Sequence, residues 1–380
     1  MTPLFDSFFM AGFECSTHRR HDGRRLDLIA ATGHDRLAAA DYALVAAHGM
    51  RAARDGLRWH LIETSPGRYD WSSFLPMLDA ACEAGVPVVW DLCHYGWPDD
   101  IDIWRPAFVE RFAAFARAAA EVVRDQSDEV PWWCPVNEIS YWAWAGGDAG
   151  LFNPLAQARG FELKHQLVRA AIAGIDAVRS VDPRARILNV DPLIRVASPP
   201  GATPEQALAA AGHHEAQYQG WDMLAGNLWP GLGGSPDYLD VIGINYYPDN
   251  QWYFGAETLP PSHPEHRPLR HLLAEVHRRY GRPLLLAETG AEGPMRAPWL
   301  DLVCAEVMAA IDAGTPVGGI CLYPVFDYPG WVDERHCATG CWSHADADGR
   351  RPPHEPMLFA LARQVDAFAA RSPSRARLPA

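Results

Sequence analysis

Two glutamates, each at the end of an apolar run, are the residues of this sequence whose type and spacing best fit catalysis. Residues 132–138 (WWCPVNE) end in Asn137 and Glu138, and residues 284–288 (LLLAE) end in Glu288, 150 positions later. Short apolar runs of this kind are typical of buried strands, so each carboxyl group is expected at a strand end. We therefore predict one site in which two carboxyl groups face each other, as in a retaining glycosidase.

Such an enzyme uses one carboxylic acid to protonate the leaving oxygen. A second carboxylate, ~5–5.5 Å away, attacks the anomeric carbon. The acid must keep its proton near neutral pH, and both burial and repulsion from the other carboxylate favour the protonated form. Glu138 follows two tryptophans and a strand, a setting that suits the acid.

The elements that must position these residues follow from the hydrophobic pattern. Short apolar runs alternate with Ala-rich segments of helical period, which favours βα units around a parallel sheet. We predict eight strands, at residues 8–13, 56–60, 86–92, 132–136, 187–190, 241–245, 283–287 and 318–323. We predict helices at residues 36–48, 73–84, 106–124, 162–180, 269–280, 300–313 and 357–371.

Eight strands with helical crossovers indicate an α/β protein of the (β/α)8 TIM barrel class, and no Gly-rich dinucleotide loop follows the first strand. We expect one barrel domain over residues 1–371 and a disordered tail at 372–380. Residues 191–240 contain Pro- and Gly-rich stretches, so this crossover is predicted to be mostly loop around one helix near residues 204–211.

Catalytic residues of a barrel come from the carboxyl ends of several strands, so polar residues at those ends are candidates for the site. A set rich in carboxylates and hydrogen-bond donors there is difficult to explain as packing. The candidates are Glu14, Arg58, His94, Asn137, Glu138, Asp191, Asn245, Tyr247, Glu288 and Asp327.

Four segments resemble glycoside hydrolase family 1. Residues 134–138 are similar to the Thr-Phe-Asn-Glu strand end of that family, and residues 286–290 to its Thr-Glu-Asn-Gly segment. Residues 89–98 are similar to Thr-Leu-Tyr-His-Trp-Asp-Leu-Pro, and residues 235–247 to Asp-Phe-Ile-Gly-Ile-Asn-Tyr-Tyr. The order of the segments is that of the family along the whole chain.

The resemblance implies a retaining β-glycosidase with Glu138 as acid/base and Glu288 as nucleophile. It also implies that Asn137 binds the sugar 2-hydroxyl and that Arg58 and Tyr247 hold the nucleophile ionised. The other substrate-binding residues expected by the resemblance or by their strand-end position are His94, Asn245, Tyr323 and Trp331. No metal or organic cofactor is expected.

Several positions depart from the family pattern. Ile139 stands where Pro normally follows the acid/base, Tyr323 stands in place of a Trp, and Gly330 in place of a glycone-binding Glu. Residues 58–71 look more like a Glu-Pro-x-x-Gly-x-Tyr-Asp-Trp stretch of other barrel glycosidases in the same clan. We interpret the chain as a divergent family 1-like member of that clan, and its glycone is not predicted.

Composition limits the partners. The net charge of −14, with no dense basic block, argues against nucleic acid and anionic membranes, and no apolar run is long enough to span a membrane. A small glycoside or oligosaccharide is the expected partner. The amino-terminal residues lack a secretory pattern and the eight cysteines are scattered, so we expect a cytoplasmic protein.

Alternative interpretations stay open at this point. A transglycosidase would use the same two glutamates, and a non-catalytic carbohydrate-binding barrel would keep the fold without turnover. Residues 336–341 and His344 contain zinc-type ligands, but the usual paired cysteine spacing is missing, so no metal is predicted there. A disulfide between Cys337 and Cys341 is neither required nor excluded by the sequence.

Overall fold

The computed structural model describes residues 3–371, and eight parallel strands within this range close into a barrel. The strands pair in chain order, and the last pairs with the first. They are β1 Phe9–Gly12, β2 Met50–Gly56, β3 Val88–Asp91, β4 Trp132–Cys134, β5 Arg186–Pro192, β6 Val241–Asn245, β7 Leu284–Thr289 and β8 Val317–Leu322. The predicted (β/α)8 fold is confirmed, and the predicted tail at 372–380 lies outside the described residues.

The helices surround the barrel. They are α1 Leu28–Thr32, α2 His34–Ala47, α3 Trp59–Ile62, α4 Leu75–Ala84, α5 Pro106–Gln126, α6 Ile139–Trp142, α7 Gly160–Val181, α8 Pro204–Ala216, α9 Gln219–Leu224, α10 Leu269–Tyr280, α11 Arg296–Asp312 and α12 Glu355–Arg371. Short antiparallel pairs join Glu63–Ser65 to Arg68–Tyr69 and Tyr328–Pro329 to His336–Cys337. No helix among residues 3–371 is long and apolar enough to cross a membrane.

An apolar stripe on α5 is buried, and its rings pack beside Trp59 of α3. Phe108, Phe112, Phe115 and Ala119 are all buried, and α5 packs along α7. Burying a Phe side chain stabilises the fold by about 1.5–3 kcal/mol, so this stripe fixes the two helices that follow β3 and β4. A separate apolar cluster fills the barrel lumen and includes Met10, Ala52, Val89, Leu188 and Leu285.

The second strand is the one that the sequence pattern misplaced. It runs from Met50 to Gly56 and not over residues 56–60, where the chain turns into α3. Arg54 and Asp55 are fully buried in this strand because each has charged or polar partners inside the fold, so its sequence does not read as apolar. The misplacement shifted the expected site residue on this strand by four positions.

Residues 191–240 contain more regular structure than predicted. Two helices, α8 and α9, lie in the segment, and Arg195–Ala197 pairs in parallel with Gln251–Tyr253. Thr203 and Gln206 form a reciprocal capping box that begins α8. These elements follow β5, so they lie on the side of the barrel where the strand carboxyl ends open.

Candidate active site

A cavity of about 780 Å³ opens at the carboxyl ends of the strands. Parallel pairing places those ends on one rim, and Glu288 on β7 lies opposite Asn245 on β6 in the register. The predicted residues that line the cavity are Glu14, His94, Glu138, Tyr247, Glu288, Tyr323 and Trp331. Asn137 and Asn245 are fully buried beneath its surface.

Glu138 lies just beyond β4 in a buried, neutral hydrogen-bonding environment. One carboxyl oxygen accepts the Tyr95 hydroxyl, and the other accepts Nδ2 of Asn245 at 2.8 Å. Burial, followed by repulsion from Glu288, raises the pKa of Glu138 to about 8, although the two hydrogen bonds act in the opposite sense. Glu138 therefore carries its proton at neutral pH.

The backbone of Glu138 is held in an unusual conformation. Its φ of 49° lies in the left-handed region, which costs a residue with a side chain about 1–3 kcal/mol. The Glu138 N–H donates to the carbonyl of Val190 at 3.0 Å, and Asp191 accepts the N–H of Ser140 at 2.9 Å. These bonds from β5 fix the chain on both sides of the carboxyl group.

Glu288 has a different environment, dominated by a cation. Nη1 of Arg54 lies 2.5 Å from Oε1, and the Tyr247 hydroxyl donates to Oε2 at 2.8 Å. An adjacent guanidinium and a donated hydroxyl stabilise negative charge on a carboxylate. The cavity thus contains one carboxyl group that keeps a proton and one that is paired with a buried cation.

Arg54 links Glu288 to Asp91 on β3 and to Asn137 just past β4. Its Nε and Nη2 donate to the two oxygens of Asp91 at 3.0 and 2.6 Å, and Nη2 also donates to Oδ1 of Asn137 at 2.6 Å. The guanidinium thus donates to four oxygens, two of Asp91 and one each of Asn137 and Glu288, so this planar group has little freedom to move. The position of Glu288 is therefore set through β2, β3 and the end of β4 together.

The Asn137 amide also determines which ring nitrogen of His94 carries the proton. Because Oδ1 of Asn137 accepts from Arg54, Nδ2 must be the donor that lies 3.0 Å from Nε2 of His94. Nε2 is thus an acceptor, and Nδ1 carries the proton that Asp91 accepts at 2.9 Å. Asn137 also donates to the Tyr95 hydroxyl, so its contact with a sugar 2-hydroxyl stays a prediction.

Aromatic rings and unpartnered polar atoms form one end of the cavity. The Tyr323 ring stacks on His94 with centroids 6.2 Å apart, and the Trp331 ring lies 5.6 Å from that of Tyr95. Trp331 Nε1 and Thr339 Oγ1 are buried without a hydrogen-bond partner among the described residues. Rings beside free donors and acceptors suit a ligand with an apolar face and hydroxyl groups.

Glu14, at the end of β1, adds a third carboxyl group to that end of the cavity. Its Oε1 accepts both the backbone N–H of Ser16, at 3.1 Å, and the Ser16 hydroxyl. Burial raises its pKa above the ordinary value. Among residues 3–371, only Oε1 of Glu14 has hydrogen-bond partners, and Glu14 lines the cavity, so its other oxygen can accept a hydrogen bond from a ligand.

The expected placement of Arg58 beside the nucleophile is wrong. Arg58 lies just past β2, where it forms ion pairs with Asp27 and Asp35, both at 3.2 Å, and donates to the Ser73 carbonyl. Arg54 takes the expected position because β2 ends at Gly56 and not at 60. The charged pair Arg54-Asp55 directly before Gly56 is the sequence signal that could have identified Arg54.

Tyr95 is the other functional residue that the sequence pattern missed, although it directly follows His94. Two strand-end carboxylates are, by contrast, engaged in supporting loops. Asp191 accepts the Ser140 N–H, and Asp327 accepts the Gly340 N–H and the Ser343 hydroxyl, both at 2.8 Å. Neither of these two carboxylates lines the cavity.

The cysteines are not bonded to one another. Cys337 and Cys341 are both free thiols, as are the other six. Among residues 3–371, Cys15, Asp91 and His94 bring one metal-type ligand atom each within 4.8 Å of one another. Both Asp91 oxygens already accept from Arg54, so these three side chains belong to the hydrogen-bond network under Glu288.

Comparison with known proteins supports the fold. No family model and no curated protein matches the sequence. The AHE enzyme from Alicyclobacillus herbarius superposes with a TM-score of 0.79 at 19% identity, covering 97% of this chain and 99% of that one. A β-glucosidase from Thermotoga maritima in complex with glucoimidazole has a TM-score of 0.78 at 17% identity, covering 96% and 99%.

A family 1 β-glucosidase from Thermotoga maritima gives a TM-score of 0.76 at 16% identity, over 95% of this chain and 98% of that one. The chain therefore shares the barrel fold of these three enzymes over nearly its whole length. The family 1 resemblance read from the sequence motifs is confirmed at the level of fold.

Proposed function

We propose that the protein is a retaining β-glycosidase that hydrolyses a β-linked glycoside by double displacement. The observation that carries this proposal is the pair of glutamates in one cavity with opposite environments. Glu138 has a pKa raised to about 8 by burial and by Glu288, while Glu288 is bound by the Arg54 guanidinium. Two carboxyl groups in such different environments divide into an acid and a nucleophile.

In the first step, an oxygen of Glu288 attacks the anomeric carbon and the bond to the leaving oxygen breaks. Glu138 gives its proton to that oxygen, so the leaving group departs as a neutral alcohol and the sugar stays bound to Glu288 as an ester. The Tyr247 hydroxyl and Arg54 hold the attacking carboxylate in place. Tyr95 and Asn245 hold the acid.

In the second step, Glu138 acts as a base. Formation of the ester removes the negative charge of Glu288, which is one of the causes that raise the pKa of Glu138. The pKa of Glu138 then falls, and its carboxylate takes a proton from a water molecule that attacks the anomeric carbon. Glu288 is released as a carboxylate and Glu138 is protonated again, which closes the cycle.

The remaining predicted residues have supporting roles in this proposal. His94, Tyr323 and Trp331 line the cavity and contact the sugar. Asn245 orients Glu138, and Asn137 ties Arg54 to His94. The mechanism uses side chains alone and assigns no step to a cofactor.

Trapping of the covalent intermediate tests the proposal. The protein is incubated with activated 2-fluoro β-glycosides of the gluco, galacto, manno, fuco and xylo series, and intact mass is recorded. A stoichiometric adduct on the peptide that contains Glu288 is expected, and Glu288→Gln is expected to form none. Adduct formation on another residue, or turnover of the parent aryl glycosides with inversion, would overturn the mechanism.

A further inference from the structure

The chain contains almost no lysine. Of 33 Lys and Arg residues, Lys164 is the single lysine, and all the others are arginine. It is also buried, with 7% of its surface exposed, and its side chain lines the cavity that contains Glu138 and Glu288. The only ε-amine of the protein is therefore located in the candidate active site.

Lys164 lacks a close counter-ion. Its Nζ donates to Oε1 of Gln219 at 2.9 Å, and no carboxylate of the described residues lies within 4.0 Å of it. The acidic groups whose charges reach it are Asp191 and Asp148, and each of these accepts a backbone N–H instead. Burial is the larger effect and lowers the pKa of Lys164.

A buried ammonium with one amide partner has unused donors. An ion removed from water and left without a partner costs free energy, unless another charged group compensates for it. Lys164 has three N–H donors and Gln219 accepts one of them. The other donors are available to a ligand in the cavity.

Aromatic side chains line the same cavity as Lys164. Trp144 and Phe161, which are 46% and 50% exposed, line this cavity, and so do Trp252 and His213, whose ring centroids lie 6.1 Å apart. Burial lowers the pKa of His213, so this imidazole is neutral at pH 7. These side chains come from the π-helical turn 143–148, from α7 and α8 and from the segment after β6, elements that carry neither His94 nor Trp331.

We propose that Lys164 binds a carboxylate on the leaving group of the substrate. The leaving group then combines a flat apolar face, which packs on Trp144 and Phe161, with a negative charge that reaches the Lys164 ammonium. An aromatic acid or a uronic acid has this chemistry. The proposal rests on the proposed glycosidase function, since it assigns the part of that substrate which Glu138 protonates.

Turnover of a matched pair of substrates tests this assignment. The pair is a 4-carboxyphenyl β-glycoside and its methyl ester, made with the glycone that labels Glu288. We expect Lys164→Met to lower the ratio of kcat/KM for the acid over the ester by about tenfold, with the ester rate changed less than about twofold. Comparing the ratio between variants cancels the difference in leaving ability.

Two further variants serve as controls. Lys164→Arg keeps the positive charge and is expected to keep most of the preference for the acid. Arg169→Met removes a charge from an exposed position of the same helix, α7, and should leave the ratio unchanged. A ratio that is equal in wild type and Lys164→Met would overturn the proposal.

A binding measurement separates this proposal from the proposed function. Formaldehyde with cyanoborohydride methylates amines, and Lys164 is the only side-chain target, with the terminal α-amine as internal reference. We expect 4-hydroxybenzoate or glucuronate to slow methylation of Lys164, and methyl 4-hydroxybenzoate to have no effect. The acid that protects identifies the class of leaving group.

The outcomes are distinct. Protection by an acid, together with no Glu288 adduct from any of the 2-fluoro glycosides, would support the Lys164 site and contradict the glycosidase. Hydrolysis of both glycosides at a ratio that Lys164→Met does not alter, with no protection by either acid, would contradict the Lys164 site and leave the glycosidase supported.

Discussion

Nη1 of Arg54 lies 2.5 Å from Oε1 of Glu288, although the two residues are separated by 234 positions in the chain. The contact crosses the barrel from β2 to β7, and the same guanidinium binds both oxygens of Asp91. An anion on Glu288 is therefore supported by a cation that is itself immobilised. This relationship and the proton on Glu138 lead to the following predictions.

Removal of the proposed nucleophile is expected to abolish turnover. Glu288→Ala leaves no group that can form the glycosyl ester, so kcat on an activated aryl glycoside should fall by about a thousandfold or more. Glu83→Gln changes an exposed glutamate and serves as the control. Residual activity of Glu288→Ala close to the wild-type value would contradict the assignment.

Removal of the proposed acid should depend on the leaving group. Glu138→Ala cannot protonate the departing oxygen, which matters little for a 2,4-dinitrophenolate and much for an alkoxide. We expect the first-step rate to fall at least about a hundredfold more on an alkyl glycoside than on the dinitrophenyl glycoside. Equal losses on both substrates would show that Glu138 is not the acid.

The pH profile should report the proton on Glu138. The protonated form is the active acid, so kcat/KM should decline on the alkaline side with an apparent pKa near 8. The Tyr95 hydrogen bond lowers the pKa of Glu138, so Tyr95→Phe should move this decline to higher pH. Initial rates between pH 5 and pH 10 provide the measurement.

A second variant should shift the same profile in the opposite direction. The negative charge of Asp191 is among the causes that raise the pKa of Glu138, so Asp191→Asn should move the decline to lower pH. A merely structural effect of either variant would lower kcat without moving the apparent pKa. Shifts of the same sign in both variants would contradict this account.

Two arginines near the end of β2 should differ in their effects. Arg54→Lys keeps the charge but loses the fork that binds Asp91, Asn137 and Glu288, so kcat should fall by about a hundredfold or more. Arg58→Lys disturbs ion pairs with Asp27 and Asp35 outside the cavity, and kcat should stay within about threefold of wild type.

Arg54 is also expected to stabilise the folded protein. Replacing Arg54 with Met leaves Asp91 and Glu288 buried without their cation, which is expected to cost about 3–5 kcal/mol in the free energy of unfolding. Urea unfolding followed by tryptophan fluorescence measures this loss. Loss of activity in Arg58→Lys at unchanged stability would instead favour the assignment made from sequence.

The sequence alone determined the barrel and its principal carboxylates. Apolar runs of strand length, separated by helical stripes such as Phe108, Phe112 and Phe115, specify βα units because burial follows local periodicity. Residues 241–245 and 269–280 were predicted with the bounds that the structure has. Glu138 and Glu288 could be selected because each lies at the end of such an apolar run.

Only the tertiary structure decided which charged groups serve those carboxylates. Arg54 is hidden in a strand that does not read as apolar, since its charge is compensated by Asp91 and Glu288, which are distant in the chain. Lys164 appears as one polar position on a long helix, and only the packing of α7 against the cavity shows where its ammonium lies. Local pattern specifies secondary structure because it depends on neighbours in sequence, whereas electrostatic pairing depends on neighbours in space.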